Sequence, residues 1–488
     1  MPAAKKSAAA KSQTIKEAPA PKGDFREEKD SLGIVKVPAD ALYGVQTWRG
    51  FNNFQVTGWR AYPEMIEAFV RIKRASVEAT LKVGGMPKEI AKAILDAADE
   101  VLDGKYRDQF IIDVFQAGAG TSFNMNTNEV LANRALELLG KPRGDYKSVS
   151  PNDHVNFGQS TNDSFPTAMR LACLDRAKVL VPIVESLAAA FERKGKEWKD
   201  YLKTGRTHLQ DAVPVTLGQE FTAYGKALRK CARRLEQAAE ECLELPIGGN
   251  ALGTGVNTPD GFRPEVVKNL SKYTGFKLRV GEDPREVIQS QRPIGAVSSA
   301  LRELAVELSR ISSDLRLLCS GPSSGFAEIV LPAVQPGSSI MPGKINPVMA
   351  ECLNMVCFQV IGNDTAVQLG VVHGQLDLNV MMPGMIFATL FSFNIFINYL
   401  PQFEKSCVDG IVADKERCQG YLELNPSLAT LLNPFIGYMA AAEIAKQSVK
   451  EKRSVLDIVR EKKILTEAQI KDVFGPANLT GHLDKKGN

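Results

Sequence analysis

The stretch QPGSSIMPGKINPVMAE, residues 335–351, places two adjacent hydroxyls (Ser338, Ser339), a cation (Lys344) and an amide (Asn346) within nine residues. A nucleotide P-loop needs a fixed glycine spacing to cup phosphates and a hydroxyl after its lysine to hold magnesium. Here five residues separate Gly337 from Gly343 and Ile345 follows Lys344, so the loop reads as an anion cradle of another kind. GAGTSFNMNTNE (118–129), GQSTNDSFPT (158–167) and TGRTHLQDAVP (204–214) share its composition: small residues, hydroxyls and amides where a helix core would carry leucine. Turns and helix caps, which favour Ser, Thr, Asn and Asp, explain any one of these equally well. Four in one chain, each beside a long helical pattern, point to a shared polar pocket. GGNALGTGVNT (248–258) has no G-x-G-x-x-G ordering and no βαβ context, and reads as a turn.

Long helices must position these segments. In IGAVSSALRELAVELSRISSDLRLLCSG, residues Ile294, Val297, Leu301, Leu304, Leu308, Ile311, Leu315 and Leu318 alternate spacings of three and four, a heptad seam that stops at Gly321. Residues 167–198, 216–243 and 349–372 read as helices of similar length, with Thr207 and His208 expected at the start of the second. Helices this long are about twice the usual mean and make an extended bundle. Residues 378–403 carry no charge. Pro383 and Pro401 bracket fewer than the roughly 20 apolar residues of a membrane span, and Ser392, Asn394 and Asn398 fall inside. The expectation is a helix buried on all sides, in a core that includes other subunits. After Lys415 the text shortens, with turns at LNPS, LNPFIG and FGPANLTG. The expected organisation is a disordered Lys/Ala/Pro tail (1–24), an N-terminal domain (25–160), a central helical bundle (161–415) and a small C-terminal helical domain (416–488).

Composition excludes several classes. A content of 44% hydrophobic and 24% charged residues is that of a soluble globular protein. Of 60 basic and 56 acidic residues, five lysines and one glutamate lie in residues 1–22, leaving 55 of each. A neutral body lacks the basic face that nucleic acid requires. The tail has neither the arginines nor the amphipathic face of a transit peptide. Eight scattered cysteines, with no C-x-x-C pair and no secretory signal, read as reduced thiols in a cytoplasmic protein. None of the four histidines stands in an H-x-x-x-H arrangement, which argues against a built-in zinc site.

GSSIMPGKINP resembles the signature loop of the aspartase/fumarase superfamily. GAGTSFNMNTNEVLANRA, QSTNDSFPTA and GRTHLQDAVP resemble that family's other blocks, in its order, over nearly all of the chain from Arg26 onward. YGVQT (43–47), GAGTS, QSTND, HLQDA and NPVMAE are aspartase-like variants, where class II fumarases tend to read GSGT, QSSND, HLMDA and NPTQCE. GVVHGQLDLNVMMPG departs from the pattern, with His373 and Met382 where aspartases tend to have EAGQLELNVMEP, and its MMP is nearer the fumarase form. The resemblance implies an all-α, three-domain subunit whose central helices join a multi-helix core in a homotetramer. It implies reversible deamination of L-aspartate to fumarate and ammonia, with the fumarase reaction on L-malate as the alternative. It also implies sites shared between subunits, no organic cofactor, no bound metal, and neither nucleic acid nor membrane as partner; activation by a divalent cation stays open. Members of this superfamily have also been reused as bulk lens proteins, a role that needs no intact pocket. Here Ser338, Lys344, Asn346, Thr121 and His208 all stand in their motifs.

Taking a proton from the carbon beside the β-carboxylate of aspartate leaves a doubly charged aci-carboxylate, and preorganised donors to it are the largest catalytic contribution to seek. Thr121, Ser160, Thr161 and Ser339 offer four hydroxyls; by resemblance they clamp the β-carboxylate. The resemblance also places Lys344, Asn346 and Thr207 on the α-carboxylate, Asn162 and His208 at the amino group, and Met341 among the substrate-binding residues. Histidine titrates near neutrality, which makes His208 the intuitive base. The resemblance instead assigns that role to Ser338 as a serinate and pairs His208 with Glu351. A serinate persists only where positive charge and amide N–H donors stabilise it, which a glycine-rich loop with Lys344 would supply. Ammonium leaves with its own proton, whereas hydroxide needs a general acid, and the sequence declares none.

Overall fold

The computed structural model describes residues 24–480, so the tail expected at 1–24 lies, but for Asp24, outside the described residues. Five long helices dominate: Thr161–Glu197, Leu217–Glu240, Arg292–Leu318, Val348–Val372 and Met382–Ser406, of 37, 24, 27, 25 and 25 residues. All eight seam residues from Ile294 to Leu318 are buried, as their spacing requires. Strands among the described residues form only two-stranded pairs, the longer ones joining Phe25–Asp30 to Gly33–Pro38 and Leu202–Thr207 to Gln210–Thr216. The all-α class holds.

The chain divides into two units, one made of residues up to Lys178, Glu236–Ser299 and Gly362–Phe393, the other of Val179–Leu235, Ala300–Ile361 and residues from Asn394. In the first, helix Pro63–Lys82 buries most of its length against Lys88–Leu102, Thr121–Leu138 and Phe262–Thr274. Phe69 meets Phe123 and Phe165 edge-on, with ring centroids 5.3 and 5.5 Å away. Ser298 donates to Asp364 (2.7 Å) and Gln368 to the Gly295 carbonyl (3.0 Å), tying two long helices in that unit. In the second unit Ser312 donates to the Ala350 carbonyl, and Tyr399 to that of Met349, each at 2.7 Å. Its short C-terminal helices close over their own core of Leu428, Leu432, Ile444, Val455, Ile458 and Ile470.

Two local expectations are corrected. Thr207 and His208 do not open a helix: GRTHLQDAVP is a β-hairpin, and the helix begins only at Leu217. Pro214 lacks the N–H a helical ladder needs, and β-branched Val213 and Val215 favour the extended stem. Pro401 does not end its helix, which runs on to Ser406. A proline so near the end removes one hydrogen bond, while Phe396, Leu400 and Phe403, fully buried, hold the helix on either side. Within one chain that helix is covered only in part. Its most apolar window is 56% buried, and Asn398 is exposed. Val348–Val372 is barer still, at 28%, with Met355, Phe358, Leu369 and Val372 exposed. By length and composition Val348–Val372 and Met382–Gly410 could each cross a bilayer.

Candidate active site

The first group of candidate residues sits where two helices start. Ala119 and Gly120 have φ of +61° and +84°, and a Cβ at Gly120 would run into the Phe165 ring. Only glycine fits a left-handed turn this close to an aromatic ring. The turn delivers Thr121, exposed, as the first residue of helix Thr121–Leu138, while the Gln116 side chain accepts the otherwise orphaned Phe123 N–H at 2.8 Å. Thr161 likewise opens helix Thr161–Glu197. Asp163, fully buried, accepts the backbone N–H of Ser160 (3.0 Å), Gly248 (3.1 Å) and Asn250 (2.8 Å), and Asn162 donates to the Ala251 carbonyl (3.0 Å). The turn GGNALGTGVNT thus braces QSTND from behind. Asn124, one helical turn after Thr121, donates through Nδ2 to Thr161 Oγ1 (2.9 Å) and ties the two helix starts together. Thr121, Ser160, Thr161 and Asn162 are thereby grouped at two helix N-termini, where N–H groups and dipoles favour an anion.

Beneath this group lies Lys73, with no exposed surface. Its ammonium donates to Asn124 Oδ1 (2.7 Å), Asn156 Oδ1 (2.8 Å) and Gln159 Oε1 (3.0 Å). Burial pulls Lys73 down to about 7, opposed by the charge of Asp163. Burial pushes Asp163 up to about 7, opposed by its backbone donors and by Lys73. Neither residue was among the candidates. Lys73 falls on the buried Ile66–Phe69–Ser76 face of its helix, a lone charge whose acceptors lie far along the chain.

The second group is the loop 335–351. Ser338 Oγ accepts the backbone N–H of Ile340 (3.2 Å) and Met341 (3.0 Å), an arrangement that favours the serine's anion. The loop closes on itself: Gly337 N–H donates to the Lys344 carbonyl (2.9 Å) and Asn346 Nδ2 to the Gly337 carbonyl (2.5 Å). Ser339, Met341 and Lys344 are exposed, Ser338 and Asn346 half-buried. Glu351 lies in the first turn of helix Val348–Val372.

The third group is the hairpin tip. His208 and Leu209 both have φ of +56°, the two-residue turn whose twist suits a hairpin, and Thr207, His208 and Leu209 are exposed. A buried charge cluster fixes the stem. Glu328, fully buried, takes Lys203 (3.0 Å) and both oxygens' bonds from Arg206 (2.9 and 3.0 Å), and Lys203 also reaches Glu220 (2.9 Å). Arg206 lies 4.2 Å over the Phe326 ring. Among the described residues no hydrogen bond or ion pair joins His208 to Glu351, or the hairpin tip to the loop, within one chain. The candidates therefore form one group in the first unit and two in the second. No cluster of three or more His, Cys, Asp and Glu side chains among the described residues is placed to hold a metal ion, and all eight cysteines are free.

Residues 33–362 match the lyase family and residues 428–481 the fumarase C C-terminal family. The chain is 44% identical to the aspartate ammonia-lyase of Bacillus subtilis, over 94% of this chain and 96% of the relative. It is 46% identical to that of Escherichia coli K12, over 93% and 96%. Among solved structures, a fumarate lyase:delta crystallin of Brucella melitensis bound to cobalt superposes with a TM-score of 0.91 at 44% identity, covering 94% of this chain and all of that one. The class II fumarase of Schistosoma mansoni gives 0.90 at 33% identity, over 95% and 100%. With most of its length matched in sequence and nearly all of it in fold, the chain belongs to the aspartase/fumarase family of lyases.

Proposed function

We propose that the chain is a carbon–nitrogen lyase that converts L-aspartate reversibly to fumarate and ammonia. The observation that carries the reading is Ser338 Oγ, which accepts two backbone N–H bonds inside a loop that also presents Lys344. Donors aimed at an oxygen lower the cost of its anion, and a serinate so held abstracts the Cβ proton. Thr121, Ser160, Thr161 and Ser339 receive the charge that develops on the β-carboxylate; Lys344, Asn346 and Thr207 hold the α-carboxylate; Asn162 and His208 face the amino group, Met341 lines the site, and Glu351 orients His208. The ammonium leaves without an acid.

The reading includes a homotetramer, in which each site draws its three groups from different subunits and His208 meets Glu351 of a neighbour. It is supported by the apolar side chains that Val348–Val372 leaves exposed, a surface that asks to be covered. We place the boundaries of the three domains near residues 160 and 415, the protein in the cytoplasm, and its chemistry outside any need for an organic cofactor. The test follows fumarate by its ultraviolet absorbance with L-aspartate and then L-malate as sole substrate. Release from L-aspartate supports the reading; rapid release from L-malate alone replaces it with a fumarase.

A further inference from the structure

We infer that Lys73 is a positioning residue for the reaction, fixing through Asn124 the direction in which Thr161 offers its hydroxyl proton. The inference rests on the reading of Thr161 as a β-carboxylate donor. An ammonium group can only donate, so the Asn124 oxygen must face Lys73, 2.7 Å away. The amide's other end is then forced outward, and Nδ2 donates to Thr161 Oγ1 at 2.9 Å. An oxygen engaged as acceptor on its inner side keeps its own proton for another partner, and Thr161 Oγ1 donates to nothing among the described residues. Every bond in the series thus points the same way, from a buried cation to a hydroxyl at a helix start, and donors in such a chain strengthen one another.

The surroundings leave the relay no slack. Asn156 and Gln159 also turn their oxygens to Lys73, and their amino groups are held by the carbonyls of Gln159, Val155 and Phe157. The second hydrogen of Asn124 Nδ2 points to Asn156 Oδ1 at 3.4 Å. A neutral side chain at position 73 would leave Asn124 free to present either end to Thr161. Half of those orientations turn the threonine from donor to acceptor and aim the wrong dipole at a carboxylate.

The test is a double-mutant cycle with L-aspartate as substrate: Lys73→Met, Thr161→Val and the two together. Loss of one positioned donor to a developing oxyanion lowers kcat by about 10²-fold, with less change in KM because the charge grows only in the transition state. If Lys73 acts through Thr161, Lys73→Met shows a loss in kcat of that order, and the double variant stays within about threefold of the worse single one. Losses that multiply, or a Lys73→Met variant with wild-type kcat, overturn the inference. Should Lys73→Met fail to fold, Asn124→Leu takes its place in the cycle, with the same two outcomes. Wild-type enzyme inactive on L-aspartate in the same assay defeats the functional reading instead. The relay is then judged by unfolding midpoints of Lys73→Met, Asn124→Leu and their combination, which need no substrate: shared shifts support it and additive shifts overturn it.

Discussion

Glu328→Gln tests whether the buried charges beneath the hairpin hold Thr207 and His208 in place. The Glu328 side chain is 0% exposed, and its partners Lys203 and Arg206 are 2% and 11% exposed. Arg206 makes no ion pair with another carboxylate among the described residues, whereas Lys203 keeps Glu220 at 2.9 Å. Breaking a buried pair by removing one partner costs about 3–5 kcal/mol, because the remaining charge stays desolvated and unmatched. With Lys203 still paired, the lower end applies, about 3 kcal/mol. The assay is urea unfolding by circular dichroism at fixed protein concentration, since an oligomer's midpoint moves with concentration. Turnover should fall as well, because Arg206 immediately precedes Thr207. Adding Arg206→Met should recover part of the stability, the two sites being coupled. A loss below about 1 kcal/mol, the size of a surface pair, would refute the claim that this cluster anchors the hairpin.

Gly120→Ala forces a side chain into left-handed backbone at about 1–2 kcal/mol and against the Phe165 ring at about 1–3 kcal/mol more, so both the unfolding midpoint and turnover should drop; a variant with wild-type values contradicts the tight turn ahead of Thr121. Burial pushes Glu129, which gathers the N–H groups of Gly44, Gln46 and Thr47, from its usual 4.5 up to about 7. A carboxyl raised in the fold contributes stability that is fully present below pH 4.5 and lost as the pH rises through 7, so Glu129→Gln should flatten stability against pH in that window, and an unchanged slope there counts against it. Mixing inactive Ser338→Ala and His208→Ala enzymes, then dissociating and reassembling them, should restore roughly a quarter of wild-type activity if loop and histidine come from different chains. Confirmed subunit exchange without any gain means that one chain supplies both.

The long helices were legible because their signal is repeated: eight seam residues at spacings of three and four leave no competing period, and all eight are buried. The hairpin was missed because GRTHLQDAVP spends only a few residues on each strand and its turn places His208 and Leu209, neither of them glycine, at positive φ. Nothing in those residue types announces such a turn, which the Glu328 cluster and the Asn425 bond to the Ala212 carbonyl hold from outside the segment. Pro401 misled for a related reason, since tertiary burial of Phe396, Leu400 and Phe403 outweighs one lost hydrogen bond. In the site, the segments rich in hydroxyls and amides were readable as candidates from type and motif, because such side chains have no business in a helix core. Their supports were not. Lys73 and Asp163 act through partners far apart in the chain, and a single charged residue on an apolar face becomes informative only when its acceptors are seen.

The most direct test of the account is Ser338→Ala, assayed for fumarate release from L-aspartate and for binding of a dicarboxylate such as succinate. Removing a positioned base should lower turnover by about 10²–10⁴-fold, while succinate still binds because the clamp hydroxyls and Lys344 remain. Near-normal turnover in that variant would remove Ser338 as the base, and with it the meaning given to the two N–H groups of Ile340 and Met341 that face its oxygen.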